Sequence, residues 1–507
     1  MIHANCAMNI RDESTPPNNC AGDVPGWWIV LLCCVFPTLA ISGQSFWIDE
    51  ALTAMKASSP TLCLWWERMV TERASDLQMP LYMVTTWGVA QLFGTGEWVL
   101  RAANLPWFVA GLTAFAFSFR GRQRVFAAAA GALSPFAWYY LDEARPYAMQ
   151  LGASLLVAAA IRQLTTGVEV PAKPATWLAL FGVGIGVLAG TSLLGVFWCM
   201  AALVLFVRIA GWHPSLQLLK SARAAGVCLG LWLCFLAAYY VWTLKIGARA
   251  SAMATTNWQS PLFILYELLG FGGPGPGRLE IREAGLSAFK SSLLPLAVYG
   301  GIIATVSITG VSVLWRRNRR ETFQTGLVVV ATLVILVVAG VLLHFRVLGR
   351  HCAPALPVVL VLLIEGIRTN GKWRRVAATA LLLVLAASCL SVRLAERHRK
   401  DDYRAAAVLG RKAVAAGEGV WWSADAQAAE FYGLRLGIAQ TNEARARLVL
   451  NPDDASLAAA SLPDMVICSK PDLYDAHGAL GRKLSAGGFV ETARFPAFRV
   501  MRRTNKN

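Results

Sequence analysis

The sequence predicts a polytopic α-helical membrane protein with a small α/β domain at its C-terminal end. The chain has 507 residues, of which 56% are hydrophobic and 15% are charged, whereas about a quarter of a soluble domain is charged. Apolar runs recur up to residue 393, and each is close to the roughly 20 residues that cross the hydrocarbon core as a helix. Beyond residue 393 the chain becomes polar and mixed in composition.

The basic residues predict the membrane topology. The formal net charge is +17, and the cations occur in short clusters between apolar segments instead of forming one basic patch. The clusters are Arg120, Arg122 and Arg124; Arg316, Arg317, Arg319 and Arg320; and Arg368, Lys372, Arg374 and Arg375. This distribution is typical of cytoplasmic loops, and it argues against nucleic acid as a partner. We therefore expect a multi-pass protein of the cytoplasmic membrane with a cytoplasmic N-terminus and an extracytoplasmic C-terminal domain.

Eleven spans follow from the apolar segments and the basic loops. They are 26–42, 98–119, 124–140, 146–162, 175–190, 193–209, 222–244, 291–315, 323–343, 350–367 and 376–393. Pro80–Phe93 is apolar but too short to cross the membrane, so it is predicted to be a juxtamembrane helix. Residues 1–25 are then a cytoplasmic tail, and residues 26–393 form the membrane domain. Its two long outer loops are 43–97 and 245–290.

The loop 245–290 and the C-terminal residues 394–507 are predicted to have different structures. The loop 245–290 contains a glycine- and proline-rich turn at 270–277, which predicts a mobile loop that could cover a site. Residues 394–507 are predicted to form the extracytoplasmic α/β domain. Its predicted elements are helix Ala405–Ala416, strands Gly419–Ser423 and Asp464–Ser469, helix Leu473–Ala486 and strand Ala493–Met501.

Two acidic pairs, Asp49-Glu50 and Asp142-Glu143, lie next to spans on the same outer face in this topology. Carboxylates near hydrocarbon are costly, which makes them candidates for acid/base chemistry or cation binding. Two structural alternatives remain open. Asp49 could be the N-cap of the helix that follows it, and Arg145 could pair with Asp142 or Glu143 instead of contacting a phosphate.

A cationic segment, His344-Phe-Arg346-Val-Leu-Gly-Arg350-His351, joins two spans on the outer side. Two arginines and two histidines at an outer surface oppose the usual charge distribution. They could contact anionic lipid headgroups. The presence of the acids on the same face favours a specific phosphate site.

The order and spacing of several motifs resemble a known family. The motifs are Trp-x-Asp-Glu-Ala-x-Thr-Ala at Trp47–Ala54, Pro-Leu-Tyr at Pro80–Tyr82, Glu97 with Arg101, and Ser-Pro-Phe-x-x-Tyr-Tyr-x-x-Glu-Ala-Arg-Pro-Tyr-Ala at Ser134–Ala148. Together they are similar to the bacterial membrane-embedded type C glycosyltransferases, in the protein O-mannosyltransferase-like group that includes the lipid A aminoarabinose transferases. A weaker match covers Arg350–Pro357.

The resemblance implies an inverting transfer of a sugar from a polyprenyl-phosphate carrier to an acceptor hydroxyl or phosphate on the outer face of the membrane. The family's first-loop carboxylate matches Asp49, and its second-loop acid matches Glu143, or Asp142 if the pairing is shifted. The mechanism expected from this match has Asp49 as the base, with Glu50 and Glu143 as further catalytic acids. The donor-phosphate ligands are then Arg145, Arg346, Arg350 and His351, and Asp142 and Tyr82 are candidate acceptor or cation ligands. The expected partners are the polyprenyl-phosphate-linked sugar, membrane lipid, and a glycan, lipid or protein acceptor.

Metal dependence and other functional classes stay open at this point. The eleven cysteines are scattered without zinc-ligand spacing, no cofactor is identified, and a divalent cation near the acids is one candidate. A transporter or flippase of lipid-linked sugars could use the same outer charges, although no internal repeat is visible. A ligase of polyprenyl-linked glycans would use the same donor site. A scaffold without activity would not need acids and arginines clustered on one face.

Overall fold

The computed structural model describes most of the chain. The described residues are 24–165, 174–248, 255–368, 372–437, 445–458 and 460–503. The predicted cytoplasmic tail 1–25 lies almost entirely outside them.

The membrane part is helical from end to end. Its helices are α1 Gly26–Ala40, α2 Ile48–Ala57, α3 Leu62–Glu72, α4 Pro80–Phe93, α5 Glu97–Ala102, α6 Leu105–Phe117, α7 Arg122–Ala132, α8 Pro135–Leu141, α9 Tyr147–Thr165, α10 Pro174–Thr191, α11 Gly195–Ala210, α12 Trp212–Ser221, α13 Arg223–Lys245, α14 Ser260–Leu268, α15 Arg278–Ala284, α16 Leu293–Arg317, α17 Arg319–Leu342, α18 Leu356–Gly366 and α19 Lys372–Leu394. Short 3₁₀ helices cover Ser75–Gln78, Gly285–Ser292, Gly349–Ala355 and Glu396–His398. Within the described residues, seven helical segments are long and apolar enough to cross a membrane. The chain is therefore a multi-pass membrane protein.

Every predicted span coincides mainly with helix, but two of them, 98–119 and 124–140, are each divided into two α-helices. The segment predicted at 124–140 divides into α7 and α8, because Pro135 has no N–H to continue the helical ladder. Ser134 begins α8 by accepting a hydrogen bond on Oγ from the Ala137 N–H at 3.3 Å. The short helix α8 directs the chain into the Asp142-Glu143 turn.

The first outer loop contains three helices, α2, α3 and α4. Helix α4 has the bounds predicted for the juxtamembrane segment and packs against α2. Leu92 and Phe93 at its end are largely exposed, as expected for side chains that contact lipid.

The predicted second outer loop contains two helices, α14 and α15, that the sequence did not predict. Its glycine-rich turn packs against the end of α19 and the segment that follows α19. A Cβ added to Gly277 would lie 1.8 Å from the main-chain oxygen of Arg397, and one added to Gly273 would lie 2.5 Å from Ser388. Glycine is required at these two positions because another backbone occupies the space of a side chain.

The C-terminal domain is an α/β sandwich with one sheet. Its elements are α20 Tyr403–Ala415, β1 Val420–Ser423, α21 Ala426–Phe431, β2 Ala446–Leu448, α22 Asp454–Ala458, β3 Met465–Ser469, α23 Pro471–Tyr474, α24 Ala479–Ala486, β4 Phe489–Phe495 and β5 Phe498–Arg503. The strand order is β2-β1-β3-β5-β4, with β1 parallel to β2 and β3, and β5 antiparallel to β3 and β4. The predicted single final strand is a hairpin, turning at Ala497 in the left-handed region (φ 66°).

The soluble domain and the first outer loop share a hydrophobic core. Phe46 and Leu100 of the membrane part belong to the same buried cluster as Tyr403 and Trp422 of the soluble domain. The ring of Phe46 lies 5.6 Å from that of Phe431. Burial of these side chains fixes the soluble domain directly above the acidic loops.

Candidate active site

The first acidic pair lies in the first turn of α2, and its two carboxylates face different surroundings. Trp47, not Asp49, is the N-cap, so the N-cap interpretation of Asp49 was wrong. Successive helical residues diverge by about 100°. Glu50 is therefore fully buried, whereas the side chain of Asp49 is 30% exposed with Oδ2 3.6 Å from Nη1 of Arg350.

Glu50 is held by cations and a main-chain donor. Arg101 donates from Nε to Oε1 and from Nη2 to Oε2, both at 2.9 Å, and the Ala144 N–H donates to Oε1 at 2.7 Å. Lys400 Nζ lies 3.2 Å from both oxygens. Burial opposes ionisation, but Arg101 and Lys400 outweigh it and lower the pKa of Glu50 to about 2. Glu50 is therefore a permanent anion that joins the two acidic loops.

Arg101 and Asp142 extend this network to the end of α1. Arg101 donates from Nη1 to the carbonyls of Ser42 and Gln44 at 2.8 Å, and from Nη2 to that of Ser45 at 3.2 Å. Asp142 accepts from the Ser42 N–H at 2.6 Å and from the Ser42 hydroxyl at 2.8 Å. Asp142, predicted as an acceptor or cation ligand, thus has both carboxylate oxygens engaged.

Glu143 is the carboxylate with spare hydrogen-bonding capacity. It is buried, with Oε1 3.6 Å from Nη1 of Arg278, and Oε2 has no partner within the described structure. Burial raises the pKa of Glu143 to about 6, although Arg278 and Lys400 oppose that rise. A buried carboxyl that titrates near neutral pH can hold or exchange a proton.

Arg145 lies beside Asp49 but is occupied. Its Nη1 donates to Asp76 Oδ1 at 2.7 Å and to Thr53 Oγ1 at 3.1 Å. Asp76 also pairs with the buried Lys56 at 2.5 Å. Burial opposes ionisation of Asp76, but Arg145 and Lys56 lower its pKa to about 2. These contacts correspond to the salt-bridge alternative for Arg145, with Asp76 as the partner instead of Asp142 or Glu143.

Three arginines from two segments lie near one another: Arg346 and Arg350 of the cationic segment, and Arg278 of the loop 245–290. Arg350 lies 5.3 Å from the ring centre of Tyr147 and pairs weakly with Asp49. The pKa of Arg346 is lowered first by partial desolvation and then by the positive charges of Arg350 and Arg278. No carboxylate of the described chain lies within ion-pair distance of Arg346. Such a surplus of positive charge favours a bound anion.

Arg278, which the sequence did not indicate, is anchored from the second outer loop. It pairs closely with Glu267 and donates to the Tyr140 hydroxyl at 2.6 Å. Its guanidinium lies 4.1 Å from the ring centre of Tyr139. The Gly349 N–H donates to Glu267 at 2.9 Å, so this acid ties the Arg350 segment to Arg278.

The remaining two predicted site residues are His351 and Tyr82. His351 accepts the Leu348 N–H on Nδ1 at 3.1 Å, and its carbonyl accepts from Trp198 Nε1 at 2.9 Å. Tyr82 is fully buried in α4. Both side chains are placed to shape the turn and the helix packing around the site.

Two adjacent pockets lie on the side of the site where Arg278 is found. The first is lined by aromatic and polar side chains, among them Tyr139, Tyr140, Glu267 and Arg278. The second is lined mainly by apolar residues and does not include Arg278. The apolar residues include Ile303, Leu356, Leu360, Leu363 and Leu385. Pro135 and Gly270 line both pockets. The first pocket combines aromatic rings with the charged Glu267 and Arg278, and the second is mainly apolar, which together suit an amphiphilic ligand.

The divalent cation near the acids stays a prediction. Within the described residues, no group of three His, Cys, Asp or Glu side chains could hold a metal ion. Glu50 and Asp142 already face Arg101 and Lys400, and oxygen ligands engaged by cations are poor ligands for a second cation.

The sequence did not indicate which residues form ion pairs with the predicted site residues. Arg278, Glu267, Asp76 and Lys400 complete the site. One signal was available, because Glu267 is the single charged residue of the otherwise apolar helix α14, and a lone acid there demands a cation. The remaining pairs join segments that are distant in the sequence.

The comparisons with known proteins show a likeness at the level of the fold. No protein-family model matches the chain, and no curated protein matches it. Two solved structures of ArnT from Cupriavidus metallidurans have a fold similar to that of this chain. The apo structure is 16% identical, with 94% of this chain and 97% of that chain covered at a TM-score of 0.52. The structure bound to undecaprenyl phosphate is also 16% identical, with 94% and 98% covered at a TM-score of 0.51.

Proposed function

We propose that this protein is an inverting glycosyltransferase of the cytoplasmic membrane, which moves a sugar from a polyprenyl-phosphate carrier to an acceptor on the outer face. The observation that carries the proposal is the arrangement around Asp49. An accessible carboxylate lies 3.6 Å from Arg350, and Arg346 and Arg278 supply further positive charge nearby. A base next to an anion site is what transfer from a phosphate leaving group requires.

Asp49 acts as the general base in this proposal. It accepts the proton of the acceptor O–H as that oxygen forms a bond to the anomeric carbon. The bond from that carbon to the phosphate oxygen breaks on the opposite face, which inverts the anomeric centre and releases polyprenyl phosphate. Arg350 orients the Asp49 carboxylate, and the hydrogen-bonded Glu50 fixes the first turn of α2 that carries Asp49.

The arginines stabilise the leaving phosphate. Negative charge grows on the phosphate as the sugar departs, and preorganised cations lower the energy of that state. Arg346 is the best placed for direct contact because it has no acidic partner among the described residues. Arg278 is fixed by Glu267 and Tyr140 and lines the first pocket.

The two adjacent pockets suit the two ends of the donor. An isoprenoid chain would contact the apolar residues of the second pocket, and the aromatic rings of Tyr139 and Tyr140 would contact the sugar in the first. ArnT from Cupriavidus metallidurans, which has the same fold, was solved with undecaprenyl phosphate bound. That likeness supports a polyprenyl-phosphate carrier for this chain.

Binding of undecaprenyl phosphate to purified Arg346→Met tests the anion site. Loss of one charge-assisted contact predicts affinity reduced about tenfold or more. The matched control is Arg282→Met, which removes an exposed arginine of α15 that pairs with Asp472 of the C-terminal domain, and it should bind like wild type. Equal affinity in wild type and Arg346→Met would refute the phosphate role. Tight binding without transfer to any acceptor would favour a flippase.

A further inference from the structure

The loop that opens the soluble domain places one side chain inside the membrane site. Lys400 Nζ lies 3.2 Å from both carboxylate oxygens of Glu50 and 3.8 Å from Asp142 Oδ2. It also donates to the main-chain oxygen of Asp142. The lysine side chain is only 10% exposed. A buried ammonium is costly unless acids surround it, so this position is defined by the acids.

The acids of the soluble domain nearest to Lys400 are engaged elsewhere. Asp401 pairs closely with Lys470, and Asp402 caps α20 by accepting the Ala405 N–H at 3.0 Å. Lys400 therefore has its charge partners in the membrane domain alone, within the described structure.

Main-chain contacts fix the segment on both sides of the lysine. The Lys400 N–H donates to Gln44 Oε1 at 2.9 Å, and the Arg404 N–H donates to Ser45 Oγ at 3.0 Å. Upstream, Arg397 donates from Nη2 to the Gly273 carbonyl at 3.2 Å. The second outer loop thus supports the linker that delivers Lys400.

We propose that Lys400 is a positioning residue of the transfer site: its ammonium group fixes Glu50 and the Asp142-Glu143 turn in the arrangement that leaves Asp49 accessible. The inference rests on the proposed function and extends it, because the soluble domain becomes part of the active site. Two buried anions, Glu50 and Asp142, face two cations, Arg101 and Lys400. Removal of Lys400 leaves an uncompensated negative charge beside Glu143.

This excess charge gives a readout that a purely structural lysine would not give. The charged groups that act on Glu143 are Arg278, Lys400, Glu50 and Arg350. Loss of Lys400 removes one of the three cations, so the pKa of Glu143 should rise above about 6. Lys400→Arg keeps the charge and should leave this pKa close to that of wild type.

Infrared titration of the full-length protein in detergent tests the inference without a substrate. The protonated-carboxyl band that disappears in Glu143→Gln reports the titration of Glu143. We expect its midpoint to rise by about one pH unit in Lys400→Met. Lys400→Arg, and the control Lys412→Met on the exposed face of α20, should keep the wild-type midpoint. An unchanged midpoint in a folded Lys400→Met protein would overturn the inference.

Transfer from undecaprenyl-phosphate-linked sugars provides the second arm. We expect kcat of Lys400→Met to fall about tenfold or more because the reacting groups are misplaced, and Lys400→Arg to restore most of it. Full kcat in Lys400→Met, with transfer abolished in Asp49→Asn, would overturn only the role of Lys400. Full transfer in Asp49→Asn would refute the base assignment, while a shifted Glu143 titration in Lys400→Met would still support the lysine contact.

Discussion

The buried pair of Arg101 and Glu50 should be the largest single contributor to the stability of the acidic loops. Arg101→Met removes both bonds to Glu50 and the bonds to three carbonyls between Ser42 and Ser45. Removing one partner of a buried pair costs about 3–5 kcal/mol. The pKa of Glu50 is lowered from 4.5 to about 2. At 1.36 kcal/mol per pKa unit, this difference corresponds to a stabilisation of the folded state by about 3 kcal/mol.

The pH dependence of this stability has a definite sign. The pKa of Glu50 is lower in the folded protein, so its contribution is fully present above pH 4.5 and is lost as pH falls towards about 2. Wild type should therefore lose stability across that window, and Arg101→Met should lose less because its Glu50 has already lost its main partner.

The assay is the fraction of detergent-solubilised protein that stays monodisperse after heating, measured by size-exclusion chromatography. Arg282→Met is the control, because it removes an exposed arginine that also makes two bonds to one carboxylate, that of Asp472, and such a pair contributes about 0–1 kcal/mol. We expect Arg101→Met to lose its fold at much lower temperature than Arg282→Met. Glu50→Gln added to Arg101→Met should recover part of the loss. Equal thermal resistance of the two single variants would refute the reasoning.

Three further predictions concern other parts of the site. Burial raises the pKa of Glu143 to about 6. The contribution of this carboxyl group to stability is therefore present below pH 4.5 and is lost as the pH rises through 6. The melting temperature of wild type should fall over this pH range, whereas that of Glu143→Gln should not. Gly277→Ala should cost about 1–3 kcal/mol, since its Cβ would lie 1.8 Å from a carbonyl oxygen, whereas Gly301→Ala, with nothing within 4 Å, should melt like wild type. Arg145→Met removes the buried pair with Asp76 and should lower the free energy of unfolding by about 3–5 kcal/mol. The yield of folded protein should therefore fall, and a yield equal to that of wild type would contradict this prediction.

Much of the membrane fold followed from local sequence properties. Apolar length predicted the helices, including the juxtamembrane helix Pro80–Phe93, and β-formers predicted the strands at 420–423 and 465–469. The short strand Ala446–Leu448 was missed because three residues carry too little alternation. The break between α7 and α8 before Pro135 was also missed. The apolar run continues through Pro135, so apolar length alone predicted one uninterrupted helix there.

The candidate site was only half visible in the sequence, for a physical reason. Accessible acidic side chains such as Asp49 stand out in the sequence because charge is costly near a membrane. Their partners do not stand out, because pairing depends on packing: Arg101 is 51 residues from Glu50, and Lys400 is 350 residues from it. The short motif at Glu97 and Arg101 contained one partner, but nothing local indicated which acid it would face.

The most direct test of the account is transfer of labelled sugar from a panel of undecaprenyl-phosphate-linked donors by wild type and Asp49→Asn in membranes, with the anomeric configuration of the product determined. We expect transfer with inversion by wild type, and a loss of about 10²-fold or more in Asp49→Asn while undecaprenyl phosphate still binds. Transfer by Asp49→Asn at the wild-type rate, or a product with retained configuration, would contradict it.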